Sequence, residues 1–377
     1  MKVAIVTDSF YAINGVSKTY QQLAKYCQTK KIKLDIFTIG QKESPTIKGC
    51  VKILEYQPVW PVKYYPDLPP FDIRIISEKF KKEFLNQDYD LIHLATPGSL
   101  GIAARTIINK IKTPVVGSFH TMVAEYANDW TKKNLEKFPN TIKNSAGALS
   151  GSVMWQFLKW FYGRTDVLLV PNQTMAERLK NFHPTIKIFP RGVDQKKFFP
   201  KLKKSTGNKC QLIALYVGRL SVEKNLDLLV DIFKNRKDIE LRLVGDGPYL
   251  AGLKTQLPKA KFFGYLGGQK LTQAYQQADC FIFPSTTDTF GNVILEAQAC
   301  GLPCIVTNVG GPQELINNKK NGLIAKPTVK DFNKAIDYLI NNPNQRNKLG
   351  IAAAKATREK TWNQAFDKLF DIYQNLM

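Results

Sequence analysis

The sequence has 377 residues, of which 44% are hydrophobic and 23% charged, a composition typical of a globular protein with room for two domains. No apolar run reaches the roughly eighteen residues of a membrane-spanning helix, and the short apolar run after Lys2 is too brief for a secretory signal. The six cysteines form no CxxC pair, so reduced thiols in a cytoplasm are expected rather than a disulfide framework.

The net charge of +23 is spread along the chain, with a basic excess of 13 in residues 1–200 and 10 in residues 201–377. Such a charge suits nucleic acid, an anionic membrane surface or phosphorylated small molecules, and it is equally compatible with solubility alone. We do not expect nucleic-acid binding, because the excess forms no basic stripe and no reading motif accompanies it.

Short apolar runs alternate with longer amphipathic stretches, the pattern of βαβ units and parallel sheets. Strands are predicted at 2–7, 34–39, 51–56, 91–95, 114–119 and 167–171, with helices at 17–28 and 100–110. The alternation begins again at Gln211. Further strands are predicted at 212–217, 241–244, 261–263, 280–284, 304–307 and 322–325, with helices at 225–234, 271–277, 292–299 and 330–341.

The two series predict an α/β protein with two Rossmann-like, doubly wound parallel-sheet domains, 1–195 and 196–361. The lysine-rich segment 195–209 is the expected linker. Residues 362–377 place apolar side chains on one helical face, and we expect this helix to pack back on the first domain. Ligands should bind in a cleft that the carboxyl ends of both sets of strands face.

The first chemical motif follows the predicted strand 212–217. Gly218 permits a tight turn, and the cations Arg219 and Lys224 lie where the next helix should begin. A planar guanidinium and a point charge suit a diphosphate. A capped helix that carries surface cations is the alternative interpretation.

The second motif consists of two carboxylates, Asp288 and Glu296, on either side of Gly291 at a predicted helix start. Free backbone amides at this positive helix end suit phosphate oxygens. Glu296 lies within an apolar helix, where a buried carboxylate is costly unless it binds something.

Together with these motifs, four further segments resemble the retaining glycosyltransferases of family 4, which have the two-domain GT-B fold. The segments are Asn14-Gly15-Val16, Ser118-Phe119-His120-Thr121, Arg191-Gly192-Val193-Asp194 and Gly245-Asp246-Gly247-Pro248. The matches run through nearly the whole chain.

The resemblance implies a role for each matching residue. Arg219 and Lys224 would bind the donor diphosphate, and Glu296 would accept hydrogen bonds from the ribose hydroxyls. The two residues implied at the catalytic centre are His120, beside the reacting face of the donor sugar, and Asp288, which would hold its hydroxyls. The remaining donor-binding positions are Gly15, in the loop after the first strand and near the diphosphate; Gly264, Tyr265 and Leu266, near the base; and Phe290, Gly291, Asn292 and Val293, at the helix start.

No metal or other cofactor is expected, because the two cations and the helix end can offset the charge of the leaving nucleoside diphosphate. The sequence Asp88-Tyr89-Asp90 has the form of a metal-binding Asp-x-Asp, but it precedes a strand and should lie at the wrong sheet edge. The first acid of the family's pair is usually Glu. Because Asp288 is one methylene shorter, the identity of the donor sugar stays open.

The acceptor is expected on the first domain, where residues 56–71 and 154–162 combine aromatic side chains with lysine. Such segments suit a membrane interface, although Trp155, Leu158 and Tyr162 also share one helical face, as in a core helix. The family members that this chain resembles most form glycolipids. We therefore expect a cytoplasmic enzyme, peripheral on an anionic inner leaflet, that uses a UDP-sugar or GDP-mannose and a glycerolipid acceptor. The alternatives are a soluble or polysaccharide-precursor acceptor and a catalytically silent nucleotide-sugar-binding protein.

Overall fold

The computed structural model describes residues 1–41, 44–57, 78–135, 138–201 and 211–377. The chain divides into two compact units, one of residues 1–190 with 365–377 and one of residues 191–364. The boundary lies slightly before the predicted position 195. Most of the aromatic segment 56–71, and residues 202–209 of the predicted linker, lie outside the described residues.

The first unit is built on one eight-stranded sheet with the order β3-β4-β2-β1-β5-β6-β7-β8. All neighbouring strands are parallel except β3 and β4. The strands are β1 (Lys2–Thr7), β2 (Lys33–Ile39), β3 (Thr46–Lys48), β4 (Val51–Tyr56), β5 (Leu91–Leu94), β6 (Val115–Ser118), β7 (Val167–Val170) and β8 (Ile186–Ile188). The helices are α1 (Gly15–Lys30), α2 (Glu78–Leu85), α3 (Ser99–Ile107), α4 (Val123–Asn134), α5 (Asn140–Tyr162) and α6 (Gln173–Arg178).

The second unit contains a six-stranded, fully parallel sheet with the order β11-β10-β9-β12-β13-β14. The strands are β9 (Leu212–Val217), β10 (Ile239–Val244), β11 (Lys261–Phe262), β12 (Cys280–Phe283), β13 (Cys304–Thr307) and β14 (Gly322–Ala325). The helices of this half are α7 (Leu226–Phe233), α8 (Leu250–Gln256), α9 (Gly268–Gln277), α10 (Asn292–Ala299), α11 (Val329–Asn341) and α12 (Pro343–Thr357), followed by α13 (Trp362–Gln374).

The order of strands in each sheet reverses direction part-way across. In the second unit the chain moves outward from β9 to β11 and then returns to the other side of β9 with β12. Because crossovers between parallel strands are right-handed, such a reversal puts helices on both faces of the sheet. The predicted doubly wound architecture is therefore confirmed for each unit.

The predicted strands agree with the structure to within one or two residues at their ends, and α10 has the predicted bounds. Several elements were not predicted from the sequence: the short edge strands β3 and β8, most of α5, and helices α2, α4, α6, α8 and α12. Edge strands of three residues carry too few side chains to establish an alternation. Helix α5 begins with mixed small and polar residues, so its apolar face is clear only near its end.

From Ala365 onward, helix α13 packs within the first unit, although the second unit precedes it in sequence. Phe366 lies beside the ring of Tyr26 from α1, at a centroid distance of 5.4 Å, and the Tyr26 hydroxyl donates to Asp367 over 2.5 Å. Both Phe366 and Tyr373 are completely buried. The amphipathic pattern of the last segment thus corresponds to a helix whose apolar face belongs to this core.

The last turns of α5 also belong to the core of the first unit. Leu158 and Tyr162 are buried, and the Trp155 ring stacks on Phe119 at 6.2 Å, whereas Trp160 is exposed. Core packing therefore accounts for the apolar face of residues 154–162. Within the described part of the chain, no helix is both long and apolar enough to span a bilayer.

Candidate active site

The loops at the carboxyl edge of the second sheet carry most of the predicted donor-binding residues. Gly218 and Arg219 directly follow β9, and Lys224 ends a short 3-10 helix, Val222–Lys224, that precedes α7. The Tyr216 hydroxyl donates to the Arg219 carbonyl over 2.9 Å, which fixes the turn after β9. The two cations thus flank this turn rather than open the following α-helix as predicted.

Lys224 forms an ion pair with Asp288, which lies in the loop after the neighbouring strand β12. The Lys224 Nζ atom is 2.9 and 3.0 Å from the two Asp288 carboxylate oxygens, and both side chains are mostly buried. The residues that the family resemblance assigns to the diphosphate and to the sugar are therefore partners of each other. This pair was not predicted from the sequence.

Helix α10 begins beside Asp288. Gly291, its N-cap residue, has a φ of +89°, a left-handed conformation that favours glycine, and a Cβ atom there would approach the Ile294 side chain to 2.8 Å. Asn292 and Val293 are the first residues of the helix, and Phe290 is buried just before it. The first amides of α10 thus form a positive helix end next to the ion pair.

Glu296 is buried inside α10 and accepts a hydrogen bond from the Tyr275 hydroxyl of α9 over 3.1 Å. Burial, with the negative charge of Glu296, raises the pKa of Tyr275 well above its usual range, so this hydroxyl keeps its proton and donates. The same two causes raise the pKa of the Cys300 thiol to about 12. Tyr275 was not predicted from the sequence, because nothing in α9 distinguishes it from a core aromatic residue.

The turns after β10 and β11 complete this edge. Gly245 donates its backbone amide to the Gly264 carbonyl over 2.8 Å. Gly245 has a φ of +138°, and a side chain there would place its Cβ atom 1.9 Å from the Gly218 carbonyl oxygen, so the turn requires glycine. Gly264 also has a positive φ, and the next side chain, Tyr265, is exposed. Leu266 is half-buried against the core of the second unit.

His120 lies in the first unit, two residues after β6. Its Nε2 atom is 2.9 Å from the hydroxyl of Tyr20 on α1, and the imidazole is half-buried. Gly15 was predicted in the loop after β1 but is the first residue of α1, where the Asn14 side chain caps the helix by accepting from the Ser17 amide. Gly15 is exposed, so its backbone remains open to approach at this helix end.

Asp8, which the sequence analysis did not single out, fixes the loop beside β1. Its carboxylate accepts hydrogen bonds of 2.8 Å from the Thr96 hydroxyl and from the Leu100 amide. Burial raises the pKa of Asp8, and these hydrogen bonds oppose that rise. Asp8 thus provides the capping acceptor for α3, whose own N-cap residue is Gly98.

The two acids of Asp88-Tyr89-Asp90 lie at the other edge of the first sheet. Asp90 precedes β5 and accepts from the Lys2 backbone amide at the beginning of β1, over 2.7 Å. Asp88 and Asp90 are exposed, while Tyr89 is buried. The predicted position of this Asp-x-Asp at the amino edge of the strands, away from the edge that carries His120, is confirmed.

Each half of the chain matches a known protein family. Residues 13–197 match the family described as Glycosyltransferase Family 4, and residues 197–356 match the one described as Glycosyl transferases group 1. The chain belongs to glycosyltransferase family 4. It is a glycosyltransferase that acts on sugar donors.

Three curated relatives of this family 4 enzyme cover most of its length. It is 28% identical to the sulfoquinovosyl transferase SQD2 of Arabidopsis thaliana, over 96% of this chain and 70% of the relative. It is also 28% identical to a GDP-mannose-dependent alpha-mannosyltransferase of Corynebacterium glutamicum, over 100% of this chain and 89% of the relative. Its identity to the alpha-monoglucosyldiacylglycerol synthase of Streptococcus pneumoniae is 25%, over 86% of this chain and 75% of the relative.

Solved structures share the GT-B fold of this family 4 enzyme. Sucrose-phosphate synthase of Thermosynechococcus elongatus aligns with a TM-score of 0.80 and 18% identity, over 100% of this chain and 99% of that one. HepE of Anabaena, solved in complex with UDP, aligns with a TM-score of 0.72 and 17% identity over the whole of both chains. The predicted fold class is therefore confirmed.

Proposed function

We propose that this enzyme transfers a hexose, with retention of anomeric configuration, from a nucleoside diphosphate sugar to a membrane glycerolipid. The observation that carries the donor half of this proposal is the grouping of Lys224, Asp288, Glu296 and the start of α10 at one sheet edge. A cation, a helix end and a buried carboxylate are complementary to a diphosphate and to the hydroxyls of a ribose.

In this proposal Arg219, Lys224 and the amides of residues 291–293 bind the diphosphate. They stabilise the negative charge that develops on it as the glycosidic bond breaks, so no metal ion is needed. Glu296, held by Tyr275, accepts from the ribose hydroxyls. Residues 264–266 contact the base, and Asp288 and His120 contact the sugar.

The favoured donor is a UDP-sugar, and GDP-mannose is the second candidate. A diphosphate site of this kind does not distinguish the two nucleosides. UDP is favoured by the UDP complex of the structural neighbour HepE, and GDP-mannose is supported by the mannosyltransferase relatives. The shorter Asp288 alters the reach toward the sugar hydroxyls, so the sugar has to be identified by experiment.

The lipid acceptor is supported by the relatives that are named for sulfoquinovosyl transfer and for monoglucosyldiacylglycerol synthesis. The net charge of +23 supports attachment to an anionic surface, as expected for an enzyme peripheral on the inner leaflet. A soluble acceptor, a polysaccharide precursor and a catalytically silent binder are the competing assignments.

The test is a panel of nucleotide sugars, each incubated with the enzyme and anionic vesicles that contain diacylglycerol, with mass spectrometry of the lipids. A hexose added to lipid from one donor is the expected result. Nucleotide release without a lipid product would contradict the proposed lipid acceptor. It would leave transfer to another glycan as the function. The absence of both products with every donor would favour the silent binder.

The donor site is tested separately by calorimetry with UDP and GDP. Glu296→Ala should weaken nucleotide binding about tenfold or more, because it removes the acceptor for the ribose hydroxyls. Tyr275→Phe keeps the carboxylate and removes only its hydrogen-bond donor, so it should have a smaller effect. Unchanged affinity in Glu296→Ala would contradict the assigned role.

A further inference from the structure

Four side chains in the first unit form a continuous series of polar contacts that ends at His120. The Tyr373 hydroxyl is 2.5 Å from His93 Nδ1, and His93 Nε2 is 2.7 Å from the Ser118 hydroxyl and 3.3 Å from the Tyr20 hydroxyl. Tyr20 is in turn 2.9 Å from His120 Nε2. We call Tyr373, His93, Tyr20 and His120 the histidine chain.

The histidine chain joins elements that are distant in sequence. Tyr20 lies on α1, His93 on β5, and Tyr373 on α13. Tyr20, His93 and Tyr373 are completely buried, whereas His120 is half-buried. The series therefore runs from the interior of the first unit to the one member that a ligand can approach.

We propose that Tyr373, His93 and Tyr20 are positioning residues that hold the His120 imidazole in one orientation and one tautomer. This inference rests on the proposed function, in which His120 contacts the donor sugar. An imidazole whose ring nitrogen receives a fixed hydrogen bond presents its other nitrogen with a defined proton state. The C-terminal helix thereby contributes to the active site without contacting the substrate.

The direction of the hydrogen bonds follows from the proton of Tyr373. A buried hydroxyl proton needs an acceptor, and within the described part of the chain His93 Nδ1 is the one available to Tyr373. Burial also raises the pKa of Tyr373 well above its usual range, so the hydroxyl keeps that proton. With Nδ1 accepting, the His93 ring proton lies on Nε2, which donates toward Ser118 and Tyr20.

The Tyr20 hydroxyl accepts from His93 and still has its own proton to donate. This hydroxyl lies 2.9 Å from His120 Nε2 and 3.3 Å from His93 Nε2, so His120 is the nearer partner. His120 Nε2 accepts that proton, so the ring proton of His120 lies on Nδ1. Both rings pack edge-on against Tyr20, with interplanar angles of 74° for His93 and 80° for His120, which restricts their rotation.

The sequence contains three histidines, so selective ¹⁵N-histidine labelling of the full chain gives three imidazole signals, which single His→Gln variants assign. Long-range ¹H–¹⁵N spectra distinguish the Nδ1–H and Nε2–H tautomers. We expect a single Nδ1–H tautomer at His120 in the wild-type protein. Tyr20→Phe removes the donor to Nε2 and should convert His120 to a tautomer mixture.

Steady-state kinetics with the donor identified by the panel provide the second measurement. Tyr20→Phe should lower kcat on the order of tenfold with little change in the KM for donor, because the imidazole is present but no longer fixed. Tyr373→Phe should have the same kind of effect but a smaller one, of about threefold, since it acts through His93.

Tyr26→Phe is the matched control. Tyr26 lies on α1, and its hydroxyl also bonds to a residue of α13, Asp367, but it is not part of the histidine chain. This variant should leave both the His120 tautomer and kcat unchanged. If Tyr373→Phe fails to fold, Tyr20→Phe and Tyr26→Phe still provide the comparison.

An unchanged His120 tautomer in Tyr20→Phe would overturn the inference, as would an equal loss of kcat in Tyr26→Phe. Failure of the proposed function gives a different result, because no donor then yields a glycolipid while Tyr20→Phe still changes the His120 tautomer. Full transfer by His120→Ala would instead contradict the contact of His120 with the donor sugar, and with it this inference. A tautomer change together with a selective loss of kcat would support the positioning role.

Discussion

At the scale of single residues, the ion pair between Lys224 and Asp288 determines how the proposed donor site is charged before ligand binds. Both side chains are mostly buried and the charged atoms are about 3 Å apart, so the carboxylate partly neutralises the cation. A diphosphate that approaches Lys224 therefore meets a weaker positive potential than the sequence alone predicts. In the proposed function Asp288 also contacts the donor sugar, which would then replace Lys224 as its partner.

Asp288→Asn should tighten binding of UDP about three- to tenfold, because it removes the negative charge beside Lys224 while keeping the shape of the side chain. The gain should shrink as salt increases and screens the charges. Transfer should nevertheless become slower, since the sugar loses a charged partner. Isothermal titration with UDP at two salt concentrations, and kcat with the intact donor, measure the two effects.

Asp231→Asn is a suitable control for this prediction. It removes the same charge from an exposed ion pair with Lys234 in the same unit. This variant should change the affinity for UDP by less than about twofold, because exposed pairs contribute little. Equal or weaker UDP binding in Asp288→Asn would show that the pair does not compete with the diphosphate.

The residues of the donor site differ in how far the sequence could predict them. Asp288, Glu296 and the start of α10 lie within one short stretch of sequence. Their closeness along the chain therefore already predicts that they are close in the structure. Tyr275 comes from another helix, and its contact with Glu296 depends on how α9 packs against α10. No local pattern marks such a residue, because a buried tyrosine in an amphipathic helix is ordinary core.

At the scale of secondary-structure elements, helix α13 links the end of the chain to the first unit. Its apolar face packs on α1 and on Phe189 after β8, and Phe366 is central to that contact. The helix also carries Tyr373, so its docking matters both for the stability of the unit and for the histidine chain. Its amphipathic pattern predicts a packed helix, but only the tertiary contacts identify its partners.

Phe366→Ala should destabilise the first unit by about 3–5 kcal/mol, because it removes a fully buried aromatic side chain and leaves a cavity. Hydrogen exchange followed by mass spectrometry in increasing urea should show peptides of α13 losing protection at lower urea than in the wild type. Lys368→Ala, on the exposed face of the same helix, is the control and should change little. Equal protection in both variants would mean that α13 does not dock through Phe366.

At the scale of the whole molecule, the net charge of +23 is the property with the clearest consequence for localisation. Its even distribution favours a general attraction to anionic surfaces over a site with one defined ligand. The glycerolipid acceptor proposed here requires the enzyme to reach a membrane. In the proposed function, the positive charge provides the attraction to that surface.

Binding to anionic phospholipid vesicles should decrease strongly between about 50 and 500 mM salt, because the screening length becomes shorter than the distances between the charges. Neutral vesicles should bind weakly at every salt concentration. Sedimentation with vesicles of both compositions measures the bound fraction. Equal binding to neutral and anionic vesicles would contradict the proposed electrostatic attachment.

The sequence by itself determined the fold class, the positions of most strands and the motifs on which the donor site is proposed, because these features repeat or cluster within short distances along the chain. Tertiary structure alone decided the partners: Lys224 with Asp288, Glu296 with Tyr275, and Tyr20 with both His93 and His120. Parallel strands bring their carboxyl ends to one edge, so residues far apart in sequence become neighbours there. The identity of each neighbour depends on side-chain packing, which no local spacing encodes.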